Sequence, residues 1–209
     1  MRSHRLGLHG AQRVTGPEGL TMPFSTLDPK TALIVVDLQK GITGLQLAHP
    51  TEDVVARSAA LVEAFRRHDL PVVLVNVAGS PPGRTDQRAG NTHNFPEGWT
   101  DLVPELNQHP DDIVITKFTR GAFSDTGLTE RLRGLGVTQV VIVGISTSSG
   151  VESTARHAHE HGFHVTLPVD AMTNAALDSH EHSLSKIFPR IAETGSTDEL
   201  LQLLESTRQ

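Results

Sequence analysis

The chain is 209 residues long, with a formal net charge of −6, a sequence pI near 6.0 and no cysteine. That length suffices for one α/β domain with a full core. The acidic balance offers no basic face for nucleic acid, and zero cysteines exclude disulfides, thiolate metal sites and a cysteine nucleophile.

The first thirty residues hold no continuous apolar stretch of signal-peptide length and are punctuated by Gly, Pro and Arg. Residues 1–29 are therefore expected to be a flexible N-terminal extension, with a single domain over 30–209. Met22 offers an alternative in-frame start, which would make residues 1–21 a leader. The longest apolar runs, "ALIVVD" and "QVVIVGI", are strand-sized, so no membrane span is expected. The expected location is the cytoplasm.

Strands are predicted at 32–37, 72–77, 113–117, 140–145 and 163–169. These runs are rich in Val and Ile and continuous rather than alternating, as strands covered on both faces are. Between them run helical patterns. Val54, Ser58, Leu61, Val62 and Phe65 share one face of a helix entered through Pro50 and Thr51. Leu128, Leu132 and Leu135 share another, with Asp125 as its cap and Gly136 as its stop. Val151, Ala155 and Ala158 form a thin small-residue stripe, permitting close helix approach. Asp178 and Glu181 read as a capping box before Leu184, Ile187 and Phe188, and a last helix carries Leu200, Leu201, Leu203 and Leu204. This alternation predicts a doubly wound, mostly parallel six-stranded sheet with helices on both faces. Residues 79–111, which hold the single tryptophan Trp99, interrupt it with a Pro/Gly-rich connection long enough to be a lid over the strand ends.

Three of the predicted strand ends carry chemistry to one edge. Asp37 closes the first strand, Lys117 the third, and the turn 144–150, "GISTSSG", the fourth. A carboxyl in a cleft serves as general acid or base once burial tunes it. A lysine beside it holds it ionised or stabilises developing negative charge. Amides at a helix start favour an anion. Taken singly, Asp37 reads better as a turn cap and Lys117 as an exposed strand-end residue. Their joint placement favours a site. Arg84, on the long connection, is a candidate clamp for a substrate carboxylate, or a solvated loop arginine. The twelve histidines include His157 and His161 at i, i+4, with His159, His164, His180 and His182 nearby. They read as surface residues of amphipathic helices rather than zinc ligands, so no metal is expected.

The stretches "ALIVVDLQKGI", "VITKFTRGAFSDTGL", "VVIVGISTSSGVESTARHAHEHGF" and "VTLPVDAMT" resemble the isochorismatase-like hydrolase superfamily in order and spacing, over nearly the whole chain from about residue 30. In its amidase branch the resemblance implies an Asp–Lys–Cys triad. Asp37 and Lys117 match the first two members, and the cysteine's place falls on Gly150. The His/Asp metal pattern that nicotinamidases carry after the second strand is absent from "VNVAGSPPGR", so no cofactor is implied. The family also implies a cis peptide between Ile145 and Ser146, an oxyanion or anion cradle built from Ile145, Ser146, Ser149 and Gly150, substrate contacts at Gln39, Arg84, Phe123 and Ser148, and a homo-oligomer. The isochorismatase branch tolerates loss of the thiol, because it cleaves a vinyl ether by proton donation.

This sequence departs from that branch at Phe118–Thr119–Arg120, where an aromatic–Arg–Tyr run is usual, and at Ser146 and Ser148, where Tyr and His are usual. The turn looks more like that of a cysteine-free subgroup. Three readings follow. The first is a hydrolase of a small, carboxylate-bearing molecule that works through Asp37 and Lys117 without covalent catalysis. The second is a catalytically silent homologue that binds a small carboxylate or serves as an assembly subunit. The third is an amidase using Ser149, against which stand the one-residue offset from the cysteine position and the need for an adjacent base.

Overall fold

A computed structural model describes residues 24–86 and 95–208. In chain order its elements are β1 (Thr31–Val36), α1 (Lys40–Thr43), α2 (Thr51–Arg67), β2 (Val72–Val77), β3 (Ile113–Lys117), α3 (Leu128–Gly134), β4 (Gln139–Ile145), α4 (Glu152–Glu160), β5 (His164–Pro168), β6 (Met172–Thr173), α5 (Leu177–His182), β7 (Glu193–Gly195) and α6 (Thr197–Thr207).

The sheet runs β3-β2-β1-β4-β5-β7, with β6 added beside the end of β4. Every ladder among these strands is parallel. The main path has the six strands expected and β6 is a seventh; β6 and β7, at two and three residues, are too brief to leave a periodic signal. Strand order reverses between β1 and β4. This is the switch point outside which open α/β sheets bind ligands, at the carboxyl ends of the strands.

β1 shows why the strands read as unbroken apolar runs. Leu33 and Val35 enter one core with Leu61, Phe65 and Leu204 of α2 and α6, while Ala32, Ile34 and Val36 enter the other with Leu132, Val151 and Ala155. Each of the Val, Leu, Ile and Phe side chains, removed from water, contributes about 1.5–3 kcal/mol. Gly144 sits where β4 crowds β1. Its φ is +119°, and a Cβ there would lie 2.0 Å from the Val36 carbonyl oxygen, so only glycine fits the close approach.

Several expectations need correction. Leu135 is 47% exposed, because α3 ends at Gly134 before the third leucine can turn inward. The residue before α3 is Gly127 at φ +68°, with no side-chain cap, so Asp125 does not cap this helix. Asp178 lies inside α5, and its carboxylate accepts from the neighbouring Ser179 N–H at 2.7 Å. The capping box belongs instead to Ser196 and Glu199 at the start of α6. His180 is buried at 5% exposure, whereas His159, His161 and His164 are exposed. The expected extension also overlaps the core: Phe24 and Leu27 are 2% and 4% exposed, and Gln139 bonds the Asp28 amide and the Thr26 carbonyl. The alternative start at Met22 lies outside the described residues.

Candidate active site

Asp37 follows β1 directly, and its backbone has the left-handed φ of +54°. That turn swings the carboxyl out of the pleat while its N–H still reaches the Val75 carbonyl at 2.9 Å. Lys117, the last residue of β3, reaches across β2, and its Nζ donates to Asp37 Oδ2 at 2.8 Å and to the Thr119 carbonyl at 3.2 Å. The two side chains are 6% and 2% exposed. Asp37 Oδ1 is buried too, and no protein group donates to it. Loss of water around this carboxyl outweighs the attraction of Lys117 and raises its pKa from 3.8 to about 6.

The turn after β4 supplies the third side. Thr147–Val151 forms one π-helical turn after a cis peptide between Ile145 and Ser146, and leads into α4. A Cβ on Gly150 would lie 3.1 Å from Asp37 Oδ2 and 3.0 Å from Val36 Cγ1. Position 150 thus abuts the carboxyl, and glycine puts no side chain against it. Of the amides expected to cradle an anion, that of Ser149 is used inside the turn, donating to the Ser146 carbonyl at 3.1 Å. The hydroxyl of Ser149 accepts from Arg120 Nη1 at 2.7 Å. A guanidinium cannot take up a proton, so this partner does not serve Ser149 as the base an amidase nucleophile needs.

The remaining sequence candidates divide. Gln39 is fully buried, and its amide is committed to the backbone: Oε1 accepts from the Val77 N–H at 2.8 Å, and Nε2 donates to the carbonyls of Val77 and Trp99 at 3.1 and 3.3 Å. It fixes the start of the long connection to its return, rather than facing a ligand. Phe123 is 6% exposed in the core, 5.9 Å from the ring of Phe163. Ser148 is exposed and bonds Asn174 Oδ1 through both its N–H and its hydroxyl. Arg84 is exposed, and no hydrogen bond or ion pair ties it to the Asp37–Lys117 pair.

Sequence reasoning missed the layer behind the turn. Asn174, 7% exposed and directly after β6, holds Ser148, and its carbonyl accepts from the Ala48 N–H. His180 Nδ1 lies 2.8 Å from Thr147 Oγ1, and burial and the neighbouring His49 lower the pKa of His180. Nothing in the local pattern around "AMTN" or "DSHEH" signals these contacts, which join segments far apart in the chain. The long connection returns over the same edge. The Trp99 carbonyl accepts from Gly41 N at 3.0 Å, and the indole lies so close to Gly41 that a Cβ there would meet Trp99 Nε1 at 2.0 Å. Part of the connection expected to act as a lid, 87–94, lies outside the described residues. No described helix is long and apolar enough to cross a membrane. Among the described residues, no three His, Asp or Glu side chains converge as a metal site would require.

The chain matches known proteins in both sequence and fold. The isochorismatase domain matches residues 31–199. The isochorismatase family protein YwoC of Bacillus subtilis is 38% identical over 179 residues, covering 83% of this chain and 93% of that protein. YecD of Escherichia coli O157:H7, from the same family, is 38% identical over 180 residues, covering 83% of this chain and 96% of its own length. The structure of an isochorismatase family protein from Burkholderia thailandensis superposes with a TM-score of 0.82 at 36% identity, over 86% of this chain and 98% of that one. The chain belongs to the isochorismatase family of hydrolases.

Proposed function

We propose that this hydrolase acts on a small, carboxylate-bearing molecule by proton transfer at Asp37, with Lys117 as its charge partner and no covalent intermediate. One observation carries the reading. A buried carboxyl with a pKa near 6 bonds Lys117 through one oxygen, while the other oxygen has no protein donor. Such a group is substantially protonated in mildly acidic solution and can deliver its proton to a substrate. Position 150 offers no nucleophile, which suits chemistry that needs none.

The reaction that fits best is hydrolysis of a vinyl ether. Asp37 gives its proton to the methylene carbon of an enolpyruvyl group, and the ether oxygen stabilises the resulting oxocarbenium. Water adds to the oxocarbenium carbon, the one that bears the ether oxygen, and its surplus proton returns to the carboxylate. The hemiketal then collapses, breaking the carbon–oxygen bond to release pyruvate and an alcohol. In the same reading the protein is a cytoplasmic homo-oligomer with no nucleic-acid or membrane partner.

The test is pyruvate release from isochorismate, with Asp37→Asn in parallel. The reading expects pyruvate from the unmutated protein alone, with kcat/KM falling as pH rises through about 6, because the free enzyme must bring the proton. A fall on the acid side of pH 6 would instead make Asp37 a base that activates water. No pyruvate from either protein would remove isochorismate as substrate and leave the choice between another small substrate and a silent binder.

A further inference from the structure

The β3–α3 loop carries a cation that the proposed reaction does not use. Arg120 is exposed, and its Nη1 donates to Ser149 Oγ at 2.7 Å. Among the described residues it forms no ion pair. Ser149 immediately precedes Gly150, whose Cβ direction faces Asp37 Oδ2. The guanidinium therefore stands one residue away from the position that abuts the acid.

The loop is held firmly. The Thr119 carbonyl accepts from Lys117 Nζ, Thr119 Oγ1 donates to the Gly121 carbonyl at 3.0 Å, and the Ala122 N–H donates to Thr154 Oγ1 of α4 at 3.0 Å. A Cβ on Gly121 would lie 2.7 Å from His157 Nδ1, so the loop rests directly on α4. Arg120 thus starts from a backbone pinned both to the catalytic lysine and to the helix after the turn. A pinned backbone leaves less freedom to lose when the side chain binds.

The donor chemistry is specific. Ser149 Oγ accepts from Arg120 and keeps its own hydroxyl hydrogen to donate, while the guanidinium retains further N–H groups in a planar fork. A fork beside a hydroxyl matches the two coplanar oxygens of a carboxylate. We propose that Arg120 and the Ser149 hydroxyl form the carboxylate-binding subsite of this protein, and that Arg120, rather than Arg84, selects for anionic substrates. This rests on the reading above only in taking the ligand to bear a carboxylate.

The experiment compares binding of benzoate and of its neutral counterpart benzamide, by titration calorimetry or saturation-transfer NMR at fixed ionic strength. The proteins are the unmutated chain, Arg120→Gln, Arg120→Lys, Arg84→Gln and Asp37→Asn. The unmutated chain is expected to bind benzoate, Arg120→Gln to bind it at least tenfold more weakly, and benzamide affinity to stay unchanged. Arg120→Lys should recover part of the loss, since it restores the charge without the fork, and Arg84→Gln should leave benzoate affinity unchanged. Benzoate bound equally by the unmutated and Arg120→Gln proteins, lost in Arg84→Gln, or bound by none of them, overturns the assignment. Asp37→Asn keeps benzoate binding if the subsite is as described. Failure of the proton-transfer reading would appear only in the pyruvate assay and leave these affinities intact.

Discussion

Two ion pairs with buried carboxylates stand at opposite ends of the strands. At the amino end of β3, Asp112 is met by Arg66 from α2: Nε to Oδ1 at 3.2 Å and Nη2 to Oδ2 at 2.6 Å, with the His109 N–H donating to Oδ2 at 2.7 Å. Both carboxylate oxygens have donors. At the carboxyl end, Asp37 takes a single bond from Lys117, and its second oxygen has none. The Asp112 carboxylate is 3% exposed and that of Asp37 6%, so depth does not separate them. Satisfaction does. A bidentate, fully donated carboxylate joins two elements. A half-satisfied one keeps an unpaired oxygen at a cost in stability, an arrangement that persists at sites of chemistry. A surface groove of about 650 Å³ opens beside Asp112, lined also by Leu70, His109 and Leu135.

The largest expected effect that would break this contrast is on turnover. Asp37→Asn should lower kcat by about 10³-fold, equivalent to about 4 kcal/mol of barrier, while circular dichroism shows the fold kept, because Asn still offers Lys117 an acceptor. Arg66→Met should do the reverse. It leaves a buried carboxylate unpaired and is expected to destabilise by about 3–4 kcal/mol in urea unfolding, with kcat unchanged.

The next effect is on the pH dependence of stability. Asp37 holds its proton up to about pH 6 when folded but only to 3.8 when unfolded. Between those values the folded chain binds more protons, so stability falls as pH rises through the window, by about 3 kcal/mol in all, and levels off above it. Asp37→Asn should flatten that slope in denaturant titrations across pH 4–6. Lys117→Met removes the group that opposes the rise and should move the upper end of the window to higher pH. The smallest effect sharpens the contrast from outside. Lys40 and Asp101 are paired at 2.9 Å but are 55% and 54% exposed, so Lys40→Ala should change stability by less than about 1 kcal/mol.

The sequence by itself determined the layers and the edge. Continuous Val/Ile runs alternating with amphipathic helices require a parallel sheet covered on both faces, and β1 to β5 lie within one or two residues of the predicted runs. Asp37 and Lys117 were legible because each ends or follows a strand, and a parallel sheet brings such ends to one edge, whereas Gly150 was singled out by the family resemblance. Only the tertiary structure decided what each side chain does there. Gln39 turned to the backbone of Val77 and Trp99, Phe123 turned into the core, and Asn174 and His180 arrived from segments that pattern alone leaves unplaced. Arg120 found Ser149 across 29 residues of chain. Periodicity reports which face of an element is apolar, but it is silent on hydrogen bonds between distant segments. The protonation of Asp37 follows from the same limit, since it depends on how completely water is removed and on which of two oxygens a lysine reaches.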